Sequence, residues 1–160
     1  MRKFALALAA AVAFAAPALA ADYKAGDLTV QQPWTRPAMA GMNGVGFMVI
    51  ANAGAKPVKL LSAQSPVAGK VEMHSSSMTN GVMSMRRQDE GVTIPAKGQQ
   101  AFAPGGYHFM LLGLKQPLTL GQKVPVTLLF DNGLRANIEM TVQSAATSAP
   151  MGSAAEHQHH

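Results

Sequence analysis

The side chains with the most distinctive chemistry in this sequence are histidines and methionines that cluster in two short segments. The chain has 160 residues, with 11 methionines, five histidines and no cysteine. The clustered residues are His74, Met78, Met83, Met85, His108 and Met110. Thioether sulfur is soft and neutral and imidazole nitrogen is borderline, so this donor set favours Cu(I) over zinc, iron or hard cations. A site without an anionic ligand holds a singly charged ion only moderately, which suits transfer of copper better than storage.

The same residue types also have an ordinary structural explanation. A methionine in a strand commonly fills space in an apolar core, and a lone histidine at a surface is commonly only solvated. Two segments that each combine histidine with methionine are harder to explain by packing. From the residues alone, copper binding and packing stay open as alternatives.

The first segment is predicted to be a β-hairpin that turns at Asn80-Gly81. A two-residue type I′ turn requires positive φ at both central positions, and Asn-Gly is the dipeptide that best tolerates this. With this turn, Thr79 pairs with Val82 and His74 pairs with Arg87. The turn therefore fixes the register of the whole segment.

Alternation of side chains between the two faces of a strand then groups the chemistry-bearing residues. In the first segment the residues on the outward face are His74, Met78, Met83 and Met85, and His74 and Met85 are diagonal neighbours, roughly 7–8 Å apart. In the second segment His108 and Met110 share the outward face. Tyr107, Phe109 and Leu111 are expected to face the core. Both histidines are thus predicted to lie opposite an apolar face.

The elements that position these segments are predicted to be short strands separated by Gly, Pro, Asn and Asp every eight to twelve residues. No window shows a helical period, so the fold class is all-β, a single-domain sandwich or Greek-key barrel over residues 21–143. The predicted strands are Leu28–Gln32, Gly44–Asn52, Val58–Ser65, Lys70–Met78, Val82–Gln88, Gly91–Ile94, Gln99–Phe102, Tyr107–Leu112, Lys123–Phe130 and Arg135–Gln143.

Residues 1–20 have the features of a cleaved signal peptide. Arg2 and Lys3 precede an apolar run, and Ala18-Leu19-Ala20 forms a small-residue cleavage site. We therefore expect export to the periplasm, with no stable membrane insertion after cleavage.

Charge and cysteine content exclude several function classes. The formal net charge is +5, but the basic residues are scattered except for Arg86-Arg87, which argues against nucleic-acid binding. The absence of cysteine excludes disulfides, a thiol nucleophile, iron–sulfur clusters and the thiolate of a blue-copper centre.

The chain resembles the periplasmic copper chaperones of the PCu(A)C type. The resemblance begins with the order His74, ten residues, Met85, and then His108-x-Met110. It extends to the segments QPWTR (32–36), GFMVIAN (46–52), VEMH (71–74), NGVM (80–83), IPAKG (94–98), PGGYHFML (104–111) and GQKV (121–124). One departure is that 22 residues separate Met85 from His108, one more than in the family motif. The extra residue is expected in the turn at Asp89-Glu90-Gly91.

This resemblance implies a cupredoxin-like β-barrel and one Cu(I) site formed by His74, Met85, His108 and Met110. Met83 and Met78 are secondary candidates, because alternation places them on the same face. The implied role is delivery of copper for assembly of the Cu(A) centre of cytochrome c oxidase. The implied partners are the Cu(A) subunit or a thiol-bearing assembly protein.

The C-terminal segment, residues 144–160, is rich in Ala, Ser, Thr, Pro and Gly and is expected to be disordered. Its histidines, His157, His159 and His160, are candidate ligands for Cu(II), which prefers nitrogen donors.

An enzyme, a copper-buffering protein and a metal-free binding module are the alternatives to copper delivery. No arrangement of a nucleophile, base and acid is apparent, so the chain is not expected to be an enzyme. A copper-buffering or copper-resistance protein would carry the same ligands without a dedicated recipient. A metal-free β-sandwich that binds other proteins would tolerate substitution of His74 and Met85.

Overall fold

The computed structural model describes residues 21–144, which form eleven β-strands and no helix. The strands are β1 (Tyr23–Ala25), β2 (Leu28–Thr35), β3 (Gly44–Asn52), β4 (Val58–Gln64), β5 (Ala68–Thr79), β6 (Val82–Arg87), β7 (Val92–Ile94), β8 (Gly98–Phe102), β9 (Tyr107–Leu114), β10 (Lys123–Phe130) and β11 (Arg135–Val142). The all-β prediction is confirmed, and each predicted strand is present, with the predicted bounds for Gly44–Asn52 and Lys123–Phe130 and with shifted ends for the others. The predicted signal peptide, and the tail after Ser144, lie outside the described residues.

Two features near the start of the domain differ from the prediction. The short strand β1, which pairs with β2, is too brief to give a periodic pattern. Strand β2 continues past Gln32 to Thr35 and includes Pro33, although proline usually interrupts a strand. A register shift between Gln31 and Trp34, with Gln32 at a φ of 45°, absorbs the extra residues as a β-bulge.

All eleven strands belong to one sheet, with the order β6-β5-β9-β8-β3-β2-β11-β10-β4-β7 and β1 alongside β2. The sheet encloses one apolar core, which includes the fully buried side chains of Ile50, Phe102, Phe109, Leu128 and Phe130. Most neighbouring strands are antiparallel, but β8 runs parallel to β9 and β2 parallel to β11. Residues 21–144 contain no helix long and apolar enough to span a membrane.

The β5–β6 hairpin has the register that its turn predicts. Thr79 pairs with Val82 and His74 pairs with Arg87, and the φ angles of Asn80 and Gly81 are 52° and 77°. Both positive values are those of a type I′ turn, whose twist matches that of the flanking strands. The turn chemistry therefore places the hairpin side chains on the predicted faces.

Strand β9 lies beside β5 and completes the surface on which the histidines and methionines lie. Phe109 and Leu111 are buried in the core, as alternation predicts, so His108 and Met110 project from the opposite face. Strand β5 is thus flanked by β6 on one side and β9 on the other.

Candidate metal centre

Three adjacent strands bring the two sequence segments together. His74 on β5 is directly opposite His108 on β9, and the centroids of their rings are 5.7 Å apart. Met85 on β6 is opposite Ser76, one position beyond His74 on the same face. Met110 lies two residues beyond His108 on β9. The methionines therefore flank the histidine pair from opposite directions along the strands.

His108 is buried, with only 5% of its surface exposed. Its Nδ1 lies 3.3 Å from the carbonyl oxygen of Gly106. A carbonyl oxygen only accepts hydrogen bonds, so Nδ1 carries the proton of the neutral ring and Nε2 keeps its lone pair. Nε2 is buried and has no hydrogen-bond partner among the described residues. An unpaired buried acceptor is costly, and it is well suited to a metal ion.

An apolar cluster lies on the same side of the sheet as His108. Gly46 on β3 pairs with Phe109, so the next residue, Phe47, points to the outward face. The rings of Phe47 and Trp34 are 4.7 Å apart, and the guanidinium of Arg36 lies 5.2 Å from the centroid of Phe47. Phe47 and Trp34 are buried although neither belongs to the main core, so they form a second apolar cluster on the outward side of the sheet.

His74 is held by the carboxylate of Glu72, a residue to which the sequence motifs assigned no role. Nε2 of His74 lies 2.9 Å from Oε2 of Glu72, which is two residues earlier on the same face of β5. An ionised carboxylate only accepts, so the neutral imidazole donates through Nε2 and keeps the lone pair of Nδ1 free. Carboxylates that orient a metal-binding histidine in this way are common around metal sites. The two-residue spacing on a predicted strand was the signal that could have identified Glu72.

The charge of Glu72 is stabilised from several sides. Hydrogen bonds from Lys70 and His74, together with the charges of Lys70 and Arg87, lower the pKa of Glu72 from 4.5 to about 2. Nζ of Lys70 lies 2.8 Å from Oε1, and Nη1 of Arg87 lies 3.3 Å from the same oxygen. Arg87 is also paired with Asp89, so it belongs to this ion-pair cluster and is not a free surface charge.

The lowered pKa of Glu72 predicts a specific acid sensitivity. The stability that ionised Glu72 provides is fully present above its unfolded pKa near 4.5 and is lost as the pH falls toward about 2. We expect Glu72→Gln to lower the melting temperature by a few degrees at neutral pH. On acidification, the melting temperature of the variant should fall less than that of the wild type. Thermal unfolding followed by circular dichroism, with the turn variant Glu90→Gln as control, measures this. An acid profile of Glu72→Gln identical to that of the wild type would contradict it.

The methionines of the hairpin differ in their distance from the histidine pair. Met85 is 55% exposed and lies two residues along β6 from Arg87, the partner of His74. Met83 is opposite Met78, two residues farther toward the turn, which adds about 6.6 Å along the strand. The observed register therefore places Met85, and not Met83, nearer the histidines.

The other methionines and charged groups do not extend this cluster. Residues 38–42 hydrogen-bond to Leu114, the last residue of β9, and to Leu118 beyond it. The exposed Met39 and Met42 are therefore roughly 20 Å from His108. Within residues 21–144, no group of three or more His, Asp or Glu side chains is arranged to hold a metal ion. The soft donors nearest the histidine pair along the strands are the sulfurs of Met85 and Met110. His157, His159 and His160 lie outside the described residues.

Sequence comparison places the chain among bacterial lipoprotein-like sequences. Residues 28–142 match the family model described as "Putative lipoprotein LpqE-like". The chain is 34% identical over 120 residues to "Putative lipoprotein Lxx21020" of Leifsonia xyli subsp. xyli. The match covers 75% of this chain and 72% of that protein.

Structural comparison gives solved structures with a similar fold. The apo PCuAC domain from PmoF1 has a TM-score of 0.65 and 26% identity, and the match covers 78% of this chain and 99% of that domain. The solution structure of Cu(I)-bound DR1885 from Deinococcus radiodurans has a TM-score of 0.57 and 28% identity, with coverage of 72% and 79%. The cupredoxin-like all-β architecture predicted from the sequence is that of these neighbours.

Proposed function

Because the chain belongs to the LpqE-like family and shares its fold with PCuAC domains, we propose that it is a periplasmic Cu(I) metallochaperone. Its cargo site consists of His74, Met85, His108 and Met110. The Cu(I)-bound neighbour from Deinococcus radiodurans supports the choice of metal. No catalytic step is involved, and copper is the cargo that the protein carries.

The observation that carries this proposal is the buried Nε2 of His108, which has no hydrogen-bond partner within residues 21–144. A hydrogen bond to Gly106 fixes the ring so that this nitrogen can bind a metal. Glu72 does the same for His74, so Nδ1 of His74 and Nε2 of His108 are the proposed nitrogen donors. Two neutral nitrogens and two thioethers leave the charge of Cu(I) uncompensated by ligands. The carboxylate of Glu72 orients His74, while its charge is paired with Lys70 and Arg87.

The exposure of Met85, at one edge of the site, fits a protein that passes its copper ion to a partner. Histidine and thioether ligands exchange Cu(I) without any change of oxidation state, and the half-exposed Met85 can leave the metal first. A partner with thiolates forms stronger bonds to Cu(I) than thioethers do. Transfer of Cu(I) from this site to a cysteine-bearing acceptor is therefore thermodynamically favourable.

We propose that the acceptor is the Cu(A) subunit of cytochrome c oxidase or its thiol-bearing assembly protein. A buffering protein would carry the same ligands, so only transfer distinguishes the two roles. The Cu(I)-loaded protein is mixed anaerobically with a purified apo-Cu(A) domain, and the copper content of each partner is measured after separation. Delivery predicts transfer much faster than spontaneous release of copper to a chelator in the absence of the acceptor. Transfer no faster than that release would favour buffering.

The C-terminal histidines are proposed to collect Cu(II) separately from the Cu(I) site. His157, His159 and His160 supply the nitrogen donors that Cu(II) prefers.

A further inference from the structure

The part of the β5–β6 hairpin nearest the turn projects beyond the rest of the sheet. Pairing of β5 with β9 ends at Ser75 and Tyr107, whereas pairing of β5 with β6 continues to Thr79 and Val82. Strand β6 is the last strand in the sheet order, with β5 as its neighbour. The hairpin end is therefore a two-stranded arm with both faces open to solvent.

The two faces of this arm have different chemistry. Ser75, Ser77 and Ser84 lie on one face, where the hydroxyls of Ser77 and Ser84 are 3.0 Å apart. The opposite face carries Met78 and Met83, which are 64% and 60% exposed. No core lies beneath these methionines, so packing does not explain them.

The methionine face leads directly to the proposed copper site. Met78 and Met83 are a directly opposed pair, whose Cβ atoms in such a ladder are about 4.5–5.5 Å apart. Met85 follows Met83 two residues later, about 6.6 Å along the strand, and His74 lies diagonally beyond Met85. Flexible thioether side chains at this spacing can bring their sulfurs to a common ion.

We propose that Met78 and Met83 form an outer Cu(I) entry site that passes the ion to the His74–His108 site through Met85. This inference rests on the proposed function and adds a route to it. Copper remains Cu(I) throughout, and no proton or electron moves. Met85 first joins Met78 and Met83 as a third donor, and the histidines then replace the two outer thioethers.

The test compares Met78→Leu/Met83→Leu with Met39→Leu/Met42→Leu, which removes equally exposed thioethers from the distant loop. Leucine keeps the apolar surface, so docking through hydrophobic contact would survive the change while coordination would not. Stopped-flow uptake of Cu(I) from a coloured bidentate chelator is measured anaerobically. We expect the hairpin variant to take up copper at least about fivefold more slowly, with the inner-site affinity retained, and the loop variant to match the wild type.

A second measurement isolates the outer site. In a His74→Ala/His108→Ala background the inner site is lost, and weak Cu(I) binding should persist until Met78 and Met83 are also replaced by leucine. If the wild type binds one Cu(I) tightly but neither the uptake rate nor this residual binding depends on Met78 and Met83, the entry site is wrong and the copper site stands. If the wild type binds no Cu(I), the proposed function itself fails.

Discussion

Replacement of His108 by alanine is expected to lower the affinity for Cu(I) by more than about 100-fold, since outer residues that merely orient a ligand already account for 10–100-fold. The change removes one of the two side-chain nitrogens that residues 21–144 bury without a hydrogen-bond partner, the other being Nε of Arg36. His74→Ala should have an effect of similar size. Affinity is measured by anaerobic competition with a Cu(I)-specific chelator.

Stability and affinity should change in opposite directions in the His108 variant. The unpaired Nε2 is costly to the fold in the absence of metal, and without the ring the carbonyl oxygen of Gly106 still accepts a hydrogen bond from the backbone N–H of Ser76. His108→Leu should therefore leave the apo protein folded and at least as stable as the wild type. Met85→Leu should weaken binding, and Met83→Leu should leave the equilibrium affinity near that of the wild type. Loss of affinity in Met83→Leu with none in Met85→Leu would show that the ligand assignment on β6 is wrong.

Replacement of Phe109 by alanine is expected to destabilise the fold by about 3–5 kcal/mol. Phe109 lies between His108 and Met110 in sequence but faces the core, where 1% of its surface is exposed and its ring stacks 4.6 Å from that of Phe102. The free energy of unfolding is measured by urea denaturation of the apo protein.

A matched variant separates loss of volume from loss of the aromatic ring. Phe109→Leu retains most of the apolar volume and should cost much less than Phe109→Ala. If Phe109→Ala costs less than about 1 kcal/mol, then Phe109 does not anchor β9 to the core. The burial of His108 on the same strand would then need another explanation.

The sequence predicted local pairing better than distant pairing. The Asn80-Gly81 turn determines both φ angles, and with them which hairpin residues share a face, so this part of the site follows from local chemistry. The direct pairing of His74 with His108 joins segments that are far apart in sequence. It depends on the strand order of the whole sheet, which no local pattern contains. The resemblance to copper chaperones, and not the spacing, grouped these residues beforehand.

The surroundings of each proposed ligand also could not be predicted from local sequence patterns. Alternation placed His108 on the outward face, and there it lies, but alternation gave no indication that its ring is buried. The apolar pair of Phe47 on β3 and Trp34 on β2 lies on the same side of the sheet. The bulge at Gln32 that brings Trp34 beside Phe47 leaves no clear mark on the sequence apart from Pro33. Glu72 was visible as a carboxylate two residues before His74. Its role depends on Lys70 and Arg87, which the folded sheet brings to the same carboxylate.

The central claim is that one Cu(I) is held by two histidine nitrogens and two methionine sulfurs at this face. X-ray absorption spectroscopy of the protein loaded with one equivalent of Cu(I) tests it most directly. The account predicts a single copper with both nitrogen and sulfur neighbours, and loss of nitrogen scattering in His74→Ala/His108→Ala. A spectrum with sulfur neighbours alone in the wild type, or one unchanged by replacement of both histidines, would contradict it.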